Sequence, residues 1–148
     1  YRDARIMNIY EGTSQLQVVA AINGITKGTF MEQIARYAEA EYCDAVKPAV
    51  EKLAALTERV KAMVERVETI NRDFPAYKDF HARRLVESVG YIVMTYLLAR
   101  QSGEAAEYVS DTRLMLKMTE AYIAAAETYI ANSEGSDVAL INEVGEQY

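Results

Sequence analysis

The chain has 148 residues, 51% hydrophobic and 26% charged, which is the profile of one globular domain. Its formal charge of -6 and pI near 4.9 exclude the basic stripe that nucleic-acid binding needs, and count against an anionic membrane surface. One cysteine, Cys43, allows no intrachain disulfide, no apolar run approaches the length of a membrane span, and a reducing, cytoplasmic setting is the expectation.

Two prolines, seven glycines and an abundance of Ala, Glu, Leu, Met, Lys and Arg predict long helices and no sheet. Tyr1 to Tyr10 reads as a lead-in segment, broken by Glu11-Gly12. Ser14 with Gln17 three residues on forms a capping box, and Leu16, Val19, Ala20 and Ile22 make the apolar face of a short first helix that Asn23-Gly24 stops. After the Lys27-Gly28 linker, Thr29 and Glu32 cap a second helix with Phe30, Ile34, Tyr37, Ala38 and Tyr42 on its apolar side.

Pro48 suits the first turn of a third helix, where its missing N–H is no loss. Leu53, Leu56, Val60, Met63, Val67, Ile70 and Phe74 then repeat at alternating spacings of three and four, a heptad seam with charged residues between. The seam suits packing inside the bundle or against another subunit, and a matching apolar fourth helix favours the inside. Asp73-Phe74-Pro75 breaks the chain. The fourth helix, Tyr77 to Gln101, is apolar on more than one side (Leu85, Val86, Val89, Ile92, Val93, Tyr96, Leu97), which predicts more than one neighbour. A fifth spans Glu104 to Asn132, and the tail from Asp137 is a short docked helix or disordered. The fold class expected is all-α: an antiparallel bundle of about four long helices preceded by a short one.

Glu11 lies just before a helix N-terminus, where the dipole and unpaired N–H groups favour negative charge. From spacing alone, it is a helix-start device. Gly12 permits close backbone approach, and Thr13, Ser14 and Gln15 add polar groups at the same helix mouth, so the stretch also has the parts of a small-molecule site.

The wording of that stretch adds to this. Tyr1-Arg2-Asp3-Ala4, Ile9-Tyr10-Glu11-Gly12-Thr13 and Gln15-x-Gln17 resemble the segment near the C-terminus of the catalytic region of acyl-CoA dehydrogenases, over about the first 25 residues. Val18 stands where that family often has arginine. The remainder is similar in character to the helical C-terminal extension of larger bacterial members. The resemblance implies that Glu11 is the catalytic base that removes the α-proton of an acyl-CoA thioester while FAD takes hydride from the β-carbon. It also implies that Gly12 lies against substrate and that Thr13, Ser14 and Gln15 contact FAD. Residues 1–27 would then end the catalytic domain, 28–135 form the helical extension and 136–148 a tail. The chain would be a C-terminal piece of a larger homo-oligomeric enzyme, partnered by the rest of that enzyme and by acyl-CoA. Alone it is expected to be inactive and not to retain FAD.

Other residues invite blander readings. His81, the sole histidine, has no second ligand at metal spacing and is expected on the surface. Cys43 reads as a small buried hydrophobe, and Arg83-Arg84 as solvated. Tyr37, Tyr91, Tyr96, Tyr108, Tyr122 and Tyr129 fall at helical spacings and read as packing residues. The rival to the enzymatic reading is a non-catalytic helical module for subunit packing or for covering a substrate entrance. A dehydrogenase-like protein recruited to another task is a third reading.

Overall fold

A computed structural model describes residues 14–140 of the chain. They form five helices and no strand: α1 (Ser14–Thr26), α2 (Thr29–Ala38), α3 (Lys47–Asn71), α4 (Tyr77–Gln101) and α5 (Glu107–Ala131). The fold is the expected all-α bundle. Its long members are three helices of 25 residues each, and two shorter helices precede them. A further turn of helix begins at Asp137.

The core follows from the heptad pattern. Leu53, Leu56, Val60, Met63 and Val67 of α3 are all buried, with Pro48 in the first turn as expected. Phe74 is not part of the seam, because α3 ends at Asn71 and the ring lies half-exposed in the following turn. The seam thus faces inward. Lys52, Arg59 and Arg66 of α3 reach Glu120, Glu127 and the Ile130 carbonyl of α5, so those two helices run parallel. Between them α4 runs antiparallel, pairing Thr95 with Thr119 at 2.8 Å and Ser102 with Thr112 at 3.1 Å on α5. Helix α4 touches all four other helices, which is why its apolar stripe is so wide.

Four further boundaries differ from expectation. Helix α1 continues through Asn23-Gly24 to Thr26, because Ile25 is buried and needs helical register to reach the core. Gly24 serves close approach instead: a Cβ there would lie 2.6 Å from the Phe30 ring. The chain reverses at Gly28, whose φ of 85° suits glycine. That residue takes the N-cap position of α2, so Thr29 is already helical and makes no cap bond. Helix α2 ends at Ala38, leaving Tyr42 in the next loop with its hydroxyl donating to the Tyr37 carbonyl at 2.6 Å. Helix α5 starts at Glu107, after a turn that carries Ser102 and Gly103.

The face of α1 is also different. Val18, Ile22 and Ile25 are its buried residues, whereas Leu16 and Val19 are 63% and 50% exposed. The helix packs chiefly against α4.

Candidate functional site

Glu11, Gly12 and Thr13 lie outside the described residues, and Ser14 and Gln15 open α1. What the structure describes is how this helix is held. Val18, Ile22 and Ile25 belong to the common core cluster, so the helix that follows the Glu11 stretch is anchored on the bundle. Val18 points into this apolar contact. A guanidinium there would lose hydration without a described partner.

A polar cluster closes the end of the bundle where α4 begins and α5 ends. His81 is fully buried on α4 and not on the surface as expected. It lies on the same stripe as Leu85, Ser88, Ile92 and Thr95, so its helical register was the signal that placed it inside. Its Nε2 is 2.9 Å from Ser133 Oγ, and the Tyr77 hydroxyl is 2.7 Å from the same oxygen. Arg66 donates to the carbonyls of Ile130, Ala131 and Ser133 at the end of α5.

A serine beside a histidine raises the question of nucleophilic catalysis. Hydrogen-bond accounting answers it. Ser133 has one hydroxyl hydrogen, and the Ile130 carbonyl at 3.1 Å can only accept. With that proton committed, His81 donates from Nε2–H to Ser133 Oγ, and Tyr77 donates to the same residue. His81 Nδ1 is then a bare acceptor without a partner, which is less costly than a buried N–H without one. In this tautomer the histidine cannot take a proton from Ser133 through Nε2. Burial holds its pKa well down, to about 4, and Arg84 and Arg66 reinforce this against Asp137. The cluster is a neutral lock on the C-terminus of α5.

Beside it lies an open groove of about 920 Å³, lined by Phe80, Ala125, Tyr129, Ser133, Asp137 and Leu140. Arg84 is not simply solvated: its guanidinium carbon stands 3.7 Å over the Tyr129 ring, and it donates to the Phe80 carbonyl at 3.1 Å. Arg83 pairs with Glu87 at 2.7 Å. Burial pushes the Glu87 carboxyl up, but hydrogen bonds from Tyr122 and Arg83 outweigh it and hold the group below its ordinary range. The tyrosines pack as expected where their rings meet: Tyr91 stacks on Tyr122 at 4.8 Å and Tyr37 on Tyr96 at 6.2 Å. Cys43 is half-buried, its thiol 3.6 Å from the Ser102 carbonyl. No cluster able to hold a metal occurs among the described residues.

The described residues thus give an anchored helix α1 on an all-α bundle, with a structural lock where α4 begins and α5 ends. The family model for the acyl-CoA dehydrogenase C terminal matches residues 26–138, and the chain belongs to that family. The crystal structure of an acyl-CoA dehydrogenase family protein from Porphyromonas gingivalis is similar, at 28% identity and a TM-score of 0.70. The match covers 78% of this chain and 98% of that one. No curated protein matches.

Proposed function

We propose that this chain is the C-terminal part of an FAD-dependent acyl-CoA dehydrogenase that carries out α,β-dehydrogenation of an acyl-CoA thioester. One observation carries the reading: the Ile9–Gln17 stretch, with its acyl-CoA dehydrogenase wording, runs directly into a helix docked on a bundle of that family. Glu11 is the base, Gly12 lies against the substrate, and Thr13, Ser14 and Gln15 contact FAD.

The residues fit a phosphate-bearing cofactor. By sequence, Thr13, Ser14 and Gln15 bring two hydroxyls and an amide to the stretch that leads into α1, and the unpaired backbone N–H groups of a helix N-terminus favour an anion. When bound, FAD supplies the hydride acceptor. Glu11 contributes proton removal. A carboxylate of ordinary pKa, about 4.3, is a weak base toward a carbon acid. Two effects narrow the gap: donors at the thioester carbonyl acidify the α-carbon, and exclusion of water by the acyl chain raises the carboxylate. The backbone N–H of Glu11 itself is suited to the first task. Helix α1, which follows Glu11 in the sequence, is fixed by Val18, Ile22 and Ile25, and a fixed neighbour favours the positioning that catalysis needs.

The test is the whole protein that carries this C-terminus. Mixed anaerobically with a panel of acyl-CoA thioesters, it should bleach its oxidised flavin band with at least one. A protein that binds acyl-CoA and FAD but bleaches with none would overturn the dehydrogenase reading.

A further inference from the structure

Tyr96 of α4 is fully buried, and its hydroxyl has no hydrogen-bond partner among the described residues. A buried hydroxyl left in that state is uncommon and costly, so its surroundings are informative. Tyr96 is among the residues that line a cleft of about 200 Å³ between α2 and α3. Small side chains leave this gap: Ala35 and Ala38 line it from α2 and Ala54 from α3, with Met31 beside them. Ala35 and Ala54 are exposed, whereas Thr57 and Tyr96 are buried, so the cleft runs from solvent down to two hydroxyl-bearing residues. The space exceeds the roughly 10–15 Å³ that one water needs and stays below the roughly 300 Å³ of a drug-sized pocket. Helix α2 is held by one buried residue, Ile34, so this wall can give when the cleft fills.

The two hydroxyls are chemically unlike. Thr57 donates its one hydrogen to the Leu53 carbonyl at 2.8 Å, so its oxygen can only accept. Tyr96 keeps an O–H with nothing to donate to. The groups are neighbours, since burial raises the Tyr96 phenol and the Thr57 hydroxyl opposes this. Yet they make no hydrogen bond with each other. At the mouth Lys61 is already paired with Glu58 at 2.7 Å, and Glu39 adds a further acid, so the mouth does not favour an anion. The apolar walls disfavour any ion.

We propose that this cleft binds a small neutral molecule with an apolar body and one hydroxyl group. The ligand's oxygen accepts from Tyr96 and its O–H donates to the Thr57 oxygen, while the Met31 and alanine side chains cover the apolar part. A pure hydrocarbon leaves both groups unpaired, and a carboxylate sets lone pairs against those of Thr57. The inference is independent of the catalytic role of Glu11.

The probe is phenol, set against toluene, which has the same shape, and against benzoate. Each is titrated into the isotope-labelled 148-residue chain at neutral pH and followed by amide NMR. Phenol should shift the signals of Ala35, Ala38, Ala54 and Thr57 saturably. Toluene should bind about tenfold more weakly or worse, and benzoate should leave these signals unmoved. Tyr96→Phe should bring phenol down to the affinity of toluene. Ala54→Leu, at an exposed helical position, should fill the cleft and block phenol with far-UV circular dichroism unchanged. No saturable shift with phenol would mean that water alone serves Tyr96, and would overturn the proposal. So would equal binding of phenol and toluene, or phenol binding left unchanged by either substitution.

Discussion

Ser133 is where three helices meet in one hydrogen-bonded group. Tyr77 and His81 from α4 reach its side chain, and Arg66 from α3 reaches its carbonyl. Ser133→Ala leaves buried partners unsatisfied and should cost about 1–3 kcal/mol in urea unfolding at neutral pH. His81 makes the same spot acid-sensitive. Its folded-state pKa, about 4, is below the ordinary 6.5, so the unfolded chain takes the proton first. The stability that neutral His81 contributes is full above pH 6.5 and is lost as pH falls toward 4. The loss amounts to roughly 3 kcal/mol at most. His81→Gln, which can still donate to Ser133, should flatten this acid limb; an unchanged limb would assign it to other groups. Gly28 is a backbone matter, since its φ of 85° is strained for any side chain. Gly28→Ala should lower stability by roughly 1 kcal/mol, read from the same urea curves.

At the scale of elements, the fully buried Leu53 of α3 and the 62% exposed Leu114 of α5 offer a controlled comparison. Leu53→Ala should cost about 2–5 kcal/mol, whereas Leu114→Ala should stay within about 0.5. Near-equal losses would mean that the α3 seam is not the packed centre. That seam was readable because seven residues repeated on one face between charges, and only its last member, Phe74, fell outside the helix. The bounds of α4 were readable from Pro75 and Ser102-Gly103. Helix α1 was not, for a physical reason. Leu16, Val18, Val19, Ala20, Ala21, Ile22 and Ile25 leave little polar contrast around its circumference, so two apolar faces are possible. The position of α4 selects the one with Val18, Ile22 and Ile25. His81 was misplaced differently: its register pointed inward, but residue type alone favoured the surface, and the compensating partner, Ser133, lies 52 residues away.

At the scale of the molecule, the bundle and the proposed chemistry are separable. The bundle's described core is built from side chains of its own helices packed on one another, chiefly those of α3, α4 and α5. The purified 148-residue chain should therefore fold and be colourless, and stoichiometric yellow flavin on it would show that this piece holds FAD unaided. The wording near Glu11 suggested the family, whereas the family model matches residues 26–138, outside that stretch. Acyl length and electron acceptor were not legible, because no sequence motif in the chain is tied to either. The most direct measurement of the central claim is anaerobic flavin bleaching by acyl-CoA in the whole enzyme carrying Glu11→Gln. The wild type should bleach, and the variant should bind acyl-CoA without bleaching. Equal bleaching by both would mean that the base lies elsewhere and that Glu11 is only a helix-start residue.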